Sequence, residues 1–185
     1  MKAKILHIAT IQTGFYAKAL TEGDLVYLQS KHFDDEGNLS TTLHTDLASS
    51  DVAEKHILRS GDILFAAKGS KNFATEYEVH NPPAVASTSF FVIRLSNRNV
   101  LPEYLTWFLN TTQVQSLLKS QAKGTSIPSI SKQTLEDLEI PIPSIENQKS
   151  IVIISKLCNM EKSLILKIET LREKLIQQQI INAIK

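Results

Sequence analysis

From Ile145 to Lys185 the sequence contains neither glycine nor proline. Within it apolar residues recur at Ile153, Leu157, Met160, Leu164, Ile168, Leu171 and Leu175. Their average spacing is about 3.67 residues per turn, closer to an 11-residue repeat than to the heptad, so little left-handed supercoiling is expected. Ile176, Ile180 and Ile184 widen the stripe, and Lys156, Lys162, Lys167, Glu169, Glu173 and Lys174 occupy the other side. This pattern predicts one amphipathic helix of about 40 residues, roughly 60 Å long at 1.5 Å per residue. The preceding residues form too small a body to cover such a rod. The stripe therefore calls for a second helix; the alternative is that the helix folds back on its own domain.

The text changes character before Ile140-Pro141-Ile142-Pro143. The short runs Leu25-Val26-Tyr27-Leu28, Ile63-Leu64-Phe65-Ala66 and Ser89-Phe90-Phe91-Val92-Ile93 read as strands separated by polar turns. From Pro102 the pattern is helical. Pro102 suits a first helical position and Glu103 the first turn. Tyr104, Leu105, Phe108 and Leu109 form one face, Asn110-Thr111-Thr112 interrupts it, and Val114, Leu117 and Leu118 form a second. Gly124 is expected to end that second helix. Residues 131–138 read as a short helix capped by Ser131 or Thr134. The expected fold is mixed α/β (α+β): a small twisted sheet with peripheral helices over residues 1–143, then a long helix over residues 144–185 that pairs with a partner helix.

Charge follows the same division. Residues 1–143 carry 13 Lys and Arg against 15 Asp and Glu, and residues 144–185 carry 7 against 4. The whole chain is nearly neutral at +1, which by itself does not suggest a free-standing nucleic-acid binder. The single cysteine, Cys158, excludes an internal disulfide and cysteine-rich zinc sites, and points to a reduced, cytoplasmic setting; it is expected to be a small packing residue. The opening residues are interrupted by lysines and do not form a signal peptide, and no run approaches the ~20 apolar residues of a membrane span.

Catalytic chemistry finds no foothold. The five histidines, at 7, 32, 44, 56 and 80, do not form metal-ligand pairs, no glycine-rich loop could cradle a phosphate, and no serine sits in a nucleophile elbow. No metal or cofactor is implied. Asn81-Pro82-Pro83-Ala84 is similar to the Asn-Pro-Pro-aromatic motif of adenine-N6 methyltransferases, but Ala84 replaces the aromatic that would stack on a flipped base. Asp62 and Lys68 flank a strand without the Asp/Glu-x-Lys triplet of a nuclease core.

A series of phrases runs along the chain: Ile8-Ala9-Thr10-Ile11-Gln12-Thr13-Gly14-Phe15; the strand and turn Ser60-Gly61-Asp62-Ile63-Leu64-Phe65-Ala66-Ala67-Lys68-Gly69-Ser70; Pro83 to Ile93; and Leu101-Pro102-Glu103-Tyr104-Leu105. Gly124-Thr125-Ser126-Ile127-Pro128-Ser129-Ile130-Ser131, the Ile140-Pro141-Ile142-Pro143 boundary and Glu146-Asn147-Gln148-Lys149-Ser150-Ile151 follow. In kind, order and spacing these phrases resemble the DNA specificity (S) subunit of type I restriction–modification enzymes, in a form with a single target recognition domain. The resemblance implies a non-catalytic subunit whose recognition domain reads one half of a bipartite double-stranded DNA target. It also implies long helices that pair as an antiparallel coiled coil, hold two such domains apart and dock the modification (methyltransferase) subunits, and through them the restriction subunit. This sequence holds one recognition domain and one helix. A two-fold homodimer through Leu157, Leu164, Ile168, Leu171 and Leu175 is therefore expected, reading a symmetric, interrupted target. A ~60 Å helix spans less than two turns of duplex at ~34 Å each. The alternative is a truncated interaction protein that pairs with another specificity chain.

The family has no fixed residue code for base reading, so the DNA contacts are assigned by chemistry. Hydroxyl, amide and basic side chains in loops can read base edges or hold phosphates. The candidates are Lys68, Ser70, Lys71 and Asn72; Gln12, Thr13 and Tyr16; Lys31 with its neighbours Gln29, Ser30 and His32; and Lys123, Thr125 and Ser126. Trp107 is expected in the core.

Overall fold

The computed structural model describes residues 1–18, 20–34, 37–40, 42–69, 71–122, 124 and 128–184. Its strands are β1 (Lys2–Lys4), β2 (Ala9–Thr13), β3 (Val26–Leu28), β4 (Ile63–Ala66), β5 (Ala74–Glu76), β6 (Ala84–Ala86), β7 (Phe90–Leu95) and β8 (Glu139–Pro141). Its helices are α1 (Pro102–Leu109), α2 (Thr112–Ser120), α3 (Lys132–Glu136) and α4 (Ile145–Ile184). The expected mixed architecture and the long terminal helix are both present.

The central sheet runs β2-β7-β4-β5, antiparallel throughout, with Ile93 facing Ile11 on one side and Ile63 on the other. β4 is buried at every position because both faces of the sheet are covered. Ile63 and Phe65 pack with Ile11, Ile93, Tyr104 and Leu105, whereas Leu64 and Ala66 pack with Phe73, Phe90 and Val92. β3 and β6 form a separate parallel pair, with Tyr27 opposite Val85. β1 pairs with β8, with Ala3 opposite Ile140, so the chain's first residues are joined to the segment that leads into the long helix.

Pro102 opens α1 as expected, and the break at Asn110 has a tertiary use. The Asn110 side chain donates to Ala74 O at 2.7 Å and accepts from Ala74 N at 2.8 Å, pairing with an edge strand that lacks an outer neighbour. Ser131 caps α3, accepting from Thr134 N at 3.1 Å. Three local expectations are corrected. α2 ends at Ser120 with Gln121 at its cap, before Gly124, because the tight turns at Gln121 and Ala122 close the helix without a glycine. Leu117 is exposed, since the domain covers only the Val114 and Leu118 side of that helix. Cys158 is exposed on α4 and packs nothing in this chain.

The first two turns of α4 belong physically to the domain. Gln148 is fully buried: its Oε1 accepts from Leu101 N at 2.9 Å, and its Nε2 donates to Asn99 O at 2.7 Å and Pro143 O at 2.9 Å. Val152 follows it into the core. Beyond that point the helix leaves the domain, and Ile153, Leu157, Met160, Leu164, Ile168, Leu171 and Leu175 are each 49–60% exposed. At about 100° per residue, the inward-facing residues Gln148, Val152 and Ser155 lie roughly 150° around the helix from this stripe. In this structure the stripe points away from the chain's own domain and does not fold back on it.

Candidate nucleic-acid interface

The sheet topology brings scattered loops to one place. β2, β3, β4 and β6 all end, and β5 and β7 both begin, at the same end of the strands. Four backbone hydrogen bonds tie that end together. Gly14 N donates to Phe90 O at 3.0 Å, Phe15 N to Ala86 O at 2.8 Å, Ser87 N to Leu28 O at 2.8 Å, and Ala67 N to Ser89 O at 2.9 Å. The turn after β4 is also stitched to the loop before α3. Lys68 bridges Ser129 antiparallel, Gly69 N donates to Pro128 O at 3.0 Å, and Ile130 N to Ala67 O at 2.9 Å. Gly69 has φ +101°, a conformation glycine adopts without a Cβ penalty.

The sequence candidates therefore converge. Lys68, Lys71, Thr13, Tyr16 and Lys31 are exposed around this end, Tyr16 at 81%. Two candidates have structural employment. Asn72 Nδ2 donates to Ala66 O at 2.8 Å and closes its turn, and Gln12 Nε2 donates to Lys55 O at 3.0 Å. Ser70, Lys123, Thr125 and Ser126 lie outside the described residues. Trp107 is half-buried, stacked on Tyr104 at 5.5 Å, and lines an apolar groove of about 480 Å³ with Phe108, Pro141, Pro143 and Ile151. Sequence reasoning missed the turn formed by Ser87, Thr88 and Ser89, which sits between the converging loops; only the β3–β6 parallel pairing, invisible in the sequence, places it there.

Charge separates the two ends of the sheet. Among the described residues, 13–18, 29–33, 67–69, 71–73 and 86–90 contain four lysines and no Asp or Glu. His32 and His56 sit among them with pKa values below the ordinary imidazole range, through burial first and then through Lys31 and Lys55 respectively. At His32, Asp46 opposes the shift. The opposite end is acidic. Asp62 is buried against Arg94, with contacts of 2.6 and 2.7 Å, which also removes it from any nuclease-like role. Glu76 is pushed up to about 7, chiefly by burial and then by Glu103 and Glu78, with Lys156 opposing. The lysine-bearing end is thus the one suited to a polyanion.

Lysine, hydroxyl and amide side chains of this kind can hold phosphates or base edges, and no group of three or more metal-capable side chains is found among the described residues. Among the described residues no helix is long and apolar enough to cross a membrane.

Residues 8–170 match the type I restriction modification DNA specificity domain, and the chain belongs to that family. The family is a non-catalytic one, whose members supply specificity. A curated relative, the type I restriction enzyme MjaVIII specificity subunit of Methanocaldococcus jannaschii, is 33% identical over 118 residues. That match covers 63% of this chain and 27% of the relative. The fold is shared with a chain from a structural study of complex assembly and conformational transition of the type I R-M system. That chain has TM-score 0.65 and 17% identity, with 89% of this chain and 39% of that one covered. It is shared too with the HsdS subunit of Thermoanaerobacter tengcongensis, with TM-score 0.62, 16% identity, and 87% and 37% covered. The chain thus spans well under half the length of the relatives it matches.

Proposed function

We propose that this chain is a DNA-recognition subunit of a type I restriction–modification system, with residues 1–143 reading one half of a bipartite target and residues 144–185 joining it to its partners. The observation that carries this reading is the convergence of lysine-bearing loops at one end of the sheet. Lysines there hold phosphates and neighbouring polar side chains read base edges. A net charge of +1 is compatible with this role, because partner subunits in an assembly share the neutralisation of the duplex.

The second half of the reader is a second copy. The stripe from Ile153 to Leu175 is continuous, exposed and directed away from its own domain, as a two-fold antiparallel helix pair requires. A further seam, Ile154, Ile165 and Ile176, recurs every 11 residues beside the first and is 55–60% exposed. It offers the modification subunits a surface that the helix pair leaves open, and the restriction subunit would join through them. The expected setting is the cytoplasm.

Sequencing the methylated bases of a cell that carries this chain and its modification subunits tests the proposal. A symmetric, interrupted motif that disappears when the chain is deleted is the expected result; unchanged methylation refutes the reading. The same stripe would accept the helix of another specificity chain, which is the second reading. Light scattering of the purified chain separates the two: a dimer of its own mass supports self-pairing, and a stable monomer favours the heterologous pair.

A further inference from the structure

The lysines of the DNA-facing end carry their charge on long, flexible side chains, whereas the short hydroxyl side chains of the turn between β6 and β7 stand directly on backbone that is held on several sides. Phe15 N reaches Ala86 O, Ser87 N reaches Leu28 O, Ala67 N reaches Ser89 O and Gly14 N reaches Phe90 O, while Phe90 N closes the turn on Ser87 O at 3.0 Å. Gly14 lies so close beneath that a Cβ built on it would stand 2.0 Å from Ser87 O, so only glycine lets β2 approach this turn. Thr88 and Ser89 are partly exposed on top of this clamp, and among the described residues neither hydroxyl is engaged by a hydrogen bond.

The two tasks of a DNA reader need different supports. A phosphate contact tolerates a flexible cation, because the charge acts over several ångströms. A base-edge contact must be held to within about half an ångström to discriminate. From this, and resting on the DNA-reading role proposed above, we infer that Thr88 and Ser89 are the specificity-determining residues of the domain. The exposed lysines, Lys68 and Lys71 foremost, anchor the phosphates. The hydroxyls accept or donate as the base edge requires, and the Thr88 methyl adds an apolar contact for a thymine methyl.

The test uses the full chain assembled with its modification subunits and a pool of randomised duplexes, selected by binding and by methylation. Thr88→Val keeps the side-chain shape and removes the hydroxyl; Thr88→Ser keeps the hydroxyl. Thermal melts establish that each variant is folded. In Thr88→Val, preference at one or two base positions falls about tenfold, within the range for loss of a base contact, and the salt dependence is unchanged. Thr88→Ser keeps any preference that rests on the hydroxyl, and Ser89→Ala relaxes an adjacent position. Lys68→Ala instead weakens binding to all sequences alike and lowers the slope of log affinity against log salt by about 0.9. A folded Thr88→Val and Ser89→Ala double variant with the wild-type motif intact overturns this inference and leaves the DNA-reading role standing. A wild-type complex without any sequence preference overturns both.

Discussion

Replacing Gln148 by alanine should loosen the long helix from the domain that precedes it without touching the lysine-bearing end of the sheet. Gln148 is fully buried and makes three hydrogen bonds to backbone groups: Leu101 N ahead of α1, Asn99 O, and Pro143 O just before α4. Each bond contributes about 1 kcal/mol net, and each backbone group left buried without a partner adds a desolvation penalty of about 1–3 kcal/mol. Allowing for water entering the space vacated, Gln148→Ala should cost about 3–5 kcal/mol. For a chain of this size that lowers the melting temperature by roughly 10 °C. Gln148→Glu sharpens the test because it is isosteric. It replaces the donating amide by an oxygen facing two carbonyls, which raises the carboxyl's folded-state pKa above its unfolded value near ~4.3. A raised folded pKa means stability is fully present below the unfolded value and is lost as pH rises through the folded one. The Glu variant should therefore approach wild type only in acid. Denaturant melts at several pH values, with hydrogen exchange of the amides of residues 145–152, supply the measurement. If Gln148→Ala melts within about 2 °C of wild type, or Gln148→Glu tracks wild type at every pH, the side chain is not the pivot described here.

Three further perturbations follow from the same structure. Leu164→Glu combined with Leu171→Glu places charges in the exposed stripe and should yield a folded monomer by light scattering; a persistent dimer would exclude the stripe as the contact. Glu76→Gln removes a carboxyl whose pKa is raised to about 7. That residue's share of stability is present below about pH 4.5 and is lost as pH rises toward 7, so the variant should be more stable above neutrality. The gain should be only about 1 kcal/mol, since the half-buried group is screened by solvent; equal stability at pH 8 would contradict it. Gly14→Ala drives a Cβ into the Ser87 carbonyl and should cost more than about 2 kcal/mol, with loss of sequence preference in any folded fraction; a wild-type melting curve would show that the turn is free to move.

What could be read in advance depended on the range of the interaction. The long helix, its exposed stripe, Pro102 at the head of α1 and the Ser131 cap are local patterns, and the sequence alone determined them. The phrase Glu146-Asn147-Gln148 was readable as a family signature, yet its reason appeared only when Gln148 was seen bonded to residues 47 and 49 positions away. β1, β6 and β8 are three residues long, too short to show any periodicity, and β1 finds its partner β8 at the far end of the domain. The candidate site divides in the same way. Its lysine-bearing loops were visible one by one as polar turns. Their gathering at a single end, the central place of Thr88 and Ser89, and the direction of the stripe away from the domain belong to the tertiary structure, because the first two depend on ladder pairings and the third on the anchoring of Gln148 and Val152, all between segments that the sequence keeps far apart.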